Sequence, residues 1–76
     1  MQNEVSQEIN KRFFQKLDEI VAKGETTYYG FCTKYDISRR NFVRLKNEPQ
    51  REFQMSWLKI LVEDYGASAS WLITGH

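Results

Sequence analysis

The chain has 76 residues, 41% hydrophobic and 14% aromatic, with a formal net charge of +1. That is one domain at most, with enough apolar area for one small core and too much for a disordered tail. One cysteine excludes an internal disulfide, and no apolar run approaches the ~20 residues that span a bilayer.

Met1 to Gln7 is polar and is expected to be flexible, with no signal-peptide pattern. Val5, Ile9 and Phe13 are spaced by four, so a first helix is expected to begin near Ser6. Its strong part is Arg12–Val21, where Phe13, Phe14, Leu17, Ile20 and Val21 make a broad apolar stripe. Gly24 follows as a stop. This helix is expected to be scaffold, and Asp18-Glu19, like Glu63-Asp64 later, a solvated pair of acids.

Glu25-Thr26-Thr27 connects to a second helix, Tyr28–Tyr35, which either threonine can cap. Phe31 and Tyr35 point inward, and Cys32 is a small buried residue. Gly30 costs a mid-helix position up to about 1 kcal/mol against Ala; it lets either a phosphate or another helix come close. Thr27 and Tyr28 stand at the amino end, where hydroxyls and amides suit a phosphate. Tyr28 reads equally well as a partly buried ring.

Asp36 tolerates the left-handed backbone region and can end this helix. Ser38 can cap the next, Arg39–Asn47. Four of its nine residues are cationic and none is acidic. At about 100° per residue, Phe42 and Leu45 lie about 60° apart and mark the buried side. Arg40, Arg44 and Asn47 fall opposite, Val43 flanks them, Arg39 projects from the first turn, and Lys46 runs along the margin of the buried stripe. A solvated cationic face is the alternative. Charge distribution weighs against it: Lys34 to Arg51 holds six basic residues and two acids, net +4, which leaves −3 on the remainder. Such a dipolar molecule turns one face to a polyanion.

Pro49 disfavours helix at Glu48, and Gln50–Gln54 reads as a polar loop with Phe53 inward. Arg51 is either a free loop charge or a backbone contact. A fourth helix runs from Met55 or Ser56 to Tyr65, with Leu58, Leu61, Val62 and Tyr65 facing the core and Trp57 and Ile60 off that stripe. Gly66 ends it, and Ser68 caps a last short helix, Ala69–Thr74. Trp71, Leu72 and Ile73 either close the core or, with Trp57 and Ile60, meet a second copy. Five helices without strand signals make an all-α domain.

Two segments together carry a resemblance. Tyr28–Asn47 fits the twenty-position helix-turn-helix pattern, with Cys32 as the small fifth residue. Asp64–Gly75 resembles the closing stretch of Cro/CI-type (XRE family) regulators, in which a Ser cap leads into a Trp-Leu-Leu-Thr-Gly-like run. The likeness covers Arg12 to Gly75. It implies a five-helix lambda-repressor-like fold over the single domain 1–76, binding operator DNA, commonly as a dimer, for which Trp57, Ile60, Trp71 and Ile73 are the contact expected from the apolar excess of the last two helices. Its contacts map onto Ser38, Arg39, Arg40, Val43, Arg44 and Asn47. Thr27 and Tyr28 stand where many members carry glutamines, and Asp36 replaces the usual turn glycine. Many members have a further C-terminal domain, which a chain stopping at His76 is expected to lack unless it is cut from a longer protein.

The expected function is therefore sequence-specific binding of double-stranded DNA in transcriptional regulation, in the cytoplasm. Arg40 and Arg44 are the expected guanine readers; Ser38, Arg39, Lys34 and Thr27 are expected to grip phosphates. The competing expectation is a protein-interaction module, antitoxin-like or phage accessory, that keeps the fold without binding DNA. No Cys-His pair, metal-ligand cluster, phosphate-cradling glycine loop or Ser/His/Asp set is present, so neither enzyme chemistry nor a cofactor or metal is expected.

Overall fold

The first helix, Glu4–Ala22, is the post around which the other elements are arranged. The computed structural model describes residues 4–48, 51 and 53–76. Among them are α1 (Glu4–Ala22), α2 (Tyr28–Lys34), α3 (Arg39–Asn47), α4 (Met55–Tyr65) and α5 (Ala69–Thr74). Helix α1 packs on α3, α4 and α5, α2 on α3, and α4 on α5. The all-α, five-helix expectation holds, and no helix among the described residues is long and apolar enough to cross a membrane.

Helix α1 starts earlier than expected. Glu4 lies in its first turn, where a carboxylate meets the positive end of the helix dipole. The Ser6 hydroxyl accepts from the Phe53 amide at 3.4 Å, tying this turn to the loop before α4. Residues 1–3 of the segment expected to be flexible, and Pro49 and Gln50, lie outside the described residues.

The helix ends follow local chemistry. Thr27, Ser38 and Ser68 cap α2, α3 and α5, their hydroxyls accepting from the amides of Gly30, Asn41 and Trp71. Each satisfies one donor that a helix start leaves without a partner. Helix α1 closes on Gly24 at φ 81°, with Gly24 bonded to the Val21 carbonyl and Glu25 to that of Ile20. This is the Schellman arrangement. Among the described residues no other helix lies against Gly30: a Cβ there would meet the capping hydroxyl of Thr27 at 3.0 Å, so the absent side chain leaves room for the cap.

Among the described residues, six of the fifteen buried hydrophobic residues carry rings, and these rings meet one another. Phe13 meets Phe14, Phe53, Trp57 and Phe31 at centroid distances of 5.0, 5.1, 5.8 and 6.2 Å. Such pairs add about 0.5–1.5 kcal/mol each beyond the area they bury. Trp57 is therefore a correction to the expected subunit contact. It is only 4% exposed, held by Phe13, Phe42 and Phe53. Helix α4 is covered on two sides, by α1 and by α5, so a single buried stripe does not describe it. Ile60 and Trp71 are half-buried against the same core, and Ile73 is exposed.

Two polar side chains complete the frame. Asn10, buried in α1, donates to the carbonyl of Leu45. Arg12 donates from Nε to the carbonyl of Leu72 and from Nη2 to that of Ile73, both at 2.8 Å. Its guanidinium so closes the carboxyl end of α5, where carbonyls lack helical partners and the dipole is negative.

Candidate nucleic-acid interface

Helices α2 and α3 meet at a corner fixed by main-chain bonds. Asp36 donates to the Thr33 carbonyl at 3.4 Å and Ile37 to that of Cys32 at 2.8 Å. This repeats the pattern closing α1, with Asp36 at φ 55° where α1 has Gly24. Asp36 is the only non-glycine at positive φ among the described residues. Ile37 then packs on the core, and Ser38 starts α3.

Helix α3 is seated by its apolar edge. Phe42 enters the ring cluster, 5.3 Å from Phe14, 6.0 Å from Trp57 and 6.2 Å from Tyr28. Leu45 is buried beside it, and its carbonyl is held by Asn10. The opposite edge faces outward: Arg40, Val43, Arg44 and Asn47 are all exposed. Among the described residues neither Arg40 nor Arg44 forms an ion pair, whereas Arg12, Lys16, Lys46 and Arg51 do. Two unneutralised guanidinium groups one turn apart therefore stand on one side of a rigid helix.

The remaining candidates separate into distinct environments. Arg39 leaves the first turn towards α2, with its guanidinium carbon 4.9 Å from the ring centre of Tyr29. Lys46 is turned away from the outward edge. Its ammonium lies 4.4 Å from the ring centre of Tyr28 and 3.8 Å from the carboxylate of Asp18. Arg51 pairs with Glu48 at 2.8 Å, which occupies the group considered for a backbone contact. Lys34 lies 5.4 Å from the ring centre of Tyr35.

Tyr28 does not join the outward set, whereas Thr27 is exposed at the start of α2. The Thr27 hydroxyl accepts from the Gly30 amide at 2.9 Å. Tyr28 packs against the core and donates its hydroxyl to Asp18. The Asp18 carboxylate holds the Tyr28 phenol above its ordinary pKa, with burial adding to the effect. A phosphate beside that carboxylate meets like charge, so the partly buried reading of Tyr28 describes its position. Asp18 and Asp64, expected to be merely solvated, each accept from a tyrosine, the latter from Tyr35 at 2.7 Å. Cys32 is buried and burial pushes its thiol pKa up, against a smaller opposing pull from Arg39. That is the environment of an inert core residue.

Sequence reasoning passed over Tyr29, Asn10 and Arg12. An exposed ring beside a half-buried one carries no periodic signal, and the other two act across 35 and 60 positions. No family model, curated protein or solved structure matches the chain.

Between α2 and α3 lies an open groove of about 540 Å³, floored by Cys32 and Phe42 and edged by Tyr29, Arg39, Arg40 and Val43. A second groove, about 270 Å³ and mainly apolar, separates α4 from α5 and includes Met55, Leu58, Val62, Leu72 and Ile73. The first combines cations with exposed apolar groups beside an outward-facing helix. Such a surface can hold a polyanion by charge and read its edges by planar hydrogen bonds.

Proposed function

We propose that this chain is a sequence-specific double-stranded-DNA-binding regulator of transcription, of the Cro/CI type its sequence resembles. In this reading α3 enters the major groove with its outward edge against the bases. The observation that carries it is the pair Arg40 and Arg44, exposed, without a carboxylate partner among the described residues, and borne by a helix whose other edge is held by Phe42 and Leu45. A guanidinium offers a planar fork that matches the O6 and N7 acceptors of guanine, each such contact giving about 1–3 kcal/mol of discrimination. Asn47 adds a reader for adenine or a grip on phosphate. Val43, 52% exposed, supplies the apolar contact suited to a thymine methyl. The Ser38 hydroxyl accepts from the Asn41 amide and keeps its proton to donate to a phosphate.

Dimerisation belongs to the same proposal. Its supporting observation is the α4–α5 groove, where Met55 and Ile73 are exposed side chains. A second copy seated there would set two α3 helices about 34 Å apart on one face of the duplex. The competing reading, a protein-interaction module, draws on that same groove.

A gel shift with random-sequence duplex at two salt concentrations separates them. The DNA-binding reading expects binding that falls steeply with salt. It also expects the double variant Arg40→Glu, Arg44→Glu to lose binding while keeping wild-type helicity by circular dichroism. Unchanged binding by that variant overturns the assignment of α3. Absence of salt-dependent binding by the wild type leaves the protein-interaction reading.

A further inference from the structure

Tyr29 is 63% exposed on the first turn of α2, yet it has a specific neighbour. Arg39 stands about 90° around α3 from the centre of the outward edge, leaning towards α2. Its guanidinium comes to rest over the Tyr29 ring, with 4.9 Å between the central carbon and the ring centre. No carboxylate among the described residues pairs with Arg39. The ring is thus what sets its orientation.

A guanidinium laid flat on a ring, as arginine does on aromatic faces, has a particular geometric consequence. All five N–H donors of a guanidinium lie in its plane. A ring against one face leaves those edge donors free while fixing the plane in which they point. An arginine otherwise loses rotamer freedom when it binds. A phosphate accepts hydrogen bonds from many directions and gains little from a fixed plane. A guanine edge presents two acceptors in one plane and gains directly.

Resting on the DNA-binding reading above, we propose that Tyr29 is a positioning residue. It holds Arg39 as a base-reading side chain, next to Arg40 and Arg44, in place of the phosphate grip the sequence suggests for it. Tyr29 itself touches no base in this arrangement. It acts through the plane of Arg39.

The experiment begins by selecting duplexes from a random pool with the wild-type protein. Affinities are then measured for every single-base change in the selected site, at two salt concentrations, with Tyr29→Ala, Tyr29→Phe, Arg39→Lys and Arg39→Ala. Arg39→Lys keeps the charge but loses the planar fork, so it should lower the preference at one guanine about five-fold or more with the salt dependence intact. Tyr29→Ala should weaken the preference at that same position about two- to five-fold, the size of an exposed cation–π contact. The other positions should not change, and Tyr29→Phe, which keeps the ring, should match wild type. Thermal melts should show all four variants folded, as both side chains lie on the surface.

Three results overturn the proposal. In the first, Tyr29→Ala and Arg39→Ala weaken all sequences equally and flatten the salt dependence, the mark of a phosphate contact. In the second, Tyr29→Phe behaves like Tyr29→Ala, which assigns the effect to the hydroxyl. In the third, wild-type protein shows no salt-sensitive duplex binding. That failure of the underlying reading is visible before any variant is compared.

Discussion

The carboxamide of Asn10 donates to the main-chain carbonyl of Leu45 at 3.1 Å, joining α1 to the last turn of α3. The helical partner of that carbonyl would be the amide four residues on. That residue is Pro49, which has no N–H. The proline that helps to stop α3 therefore removes one of its own hydrogen bonds, and a buried side chain from another helix replaces it.

Removing that side chain should cost more than an ordinary surface change. Asn10→Ala leaves the Leu45 carbonyl without a donor and should lower stability by about 1–3 kcal/mol. Asn10→Asp presents a carboxylate to a carbonyl and should be worse at neutral pH. Urea denaturation gives both values. A cost below about 0.5 kcal/mol for Asn10→Ala would show that the bond is not holding α3.

Arg12 gives a second test, at the far side of α1. Its two bonds to α5 are charge-assisted, so Arg12→Ala should cost about 2 kcal/mol, or roughly 8–16 °C in Tm for a domain of this size. Arg12→Lys should recover only part of it, because an ammonium cannot reproduce the fork that meets two adjacent carbonyls. Hydrogen exchange should show faster opening of α5 in both variants, with α2 and α3 little changed.

Asp36 occupies a backbone conformation that suits glycine. Asp36→Gly should raise stability by about 0.5–1 kcal/mol, and Asp36→Asn by less, since Asn adopts that region with the least strain among residues that have a side chain. Both remove a negative charge beside the proposed DNA face and should tighten non-specific duplex binding to a similar degree. Stability and binding should thus rank the two variants differently.

Tyr35 should make stability sensitive to alkali. Burial, with help from its bond to Asp64, raises its phenol pKa above the ordinary value near 10. In the folded state the neutral phenol is favoured. Its contribution is therefore complete below pH 10 and falls as pH climbs beyond it, where the unfolded chain gives up the proton first. Tyr35→Phe lacks this term. The stability gap between wild type and Tyr35→Phe, measured by urea denaturation from pH 8 to pH 11, should narrow with rising pH. A constant gap would remove the assignment.

The parts of this molecule with local causes were legible in the sequence. Ser38, Ser68 and Gly24 act on amides and carbonyls within a few residues, so chemistry alone marked the helix ends. The outward edge of α3 followed from Phe42 and Leu45 through the helical repeat. Relationships between distant helices left no such trace. Trp57 lies off the one buried stripe that α4 shows when viewed by itself, so the sequence leaves it open to a second copy, while α4 is covered from two directions. The helical repeat sets Lys46 at the margin of the buried stripe and Arg44 opposite it, but gives no sign of the Asp18 carboxylate on α1 that Lys46 meets. Tyr29 and Arg39 are ten positions apart and meet only because the corner at Asp36 folds α2 and α3 together.

The seating of α3 also has a bearing on redesign. Two apolar side chains and one main-chain carbonyl hold the helix, and all of them lie on the edge away from Arg40, Val43, Arg44 and Asn47. Those four sites form an exchangeable cassette on the proposed DNA face: other side chains can be written there without renegotiating the interior. Only substitutions that trade good helix formers for glycine or proline should be refused.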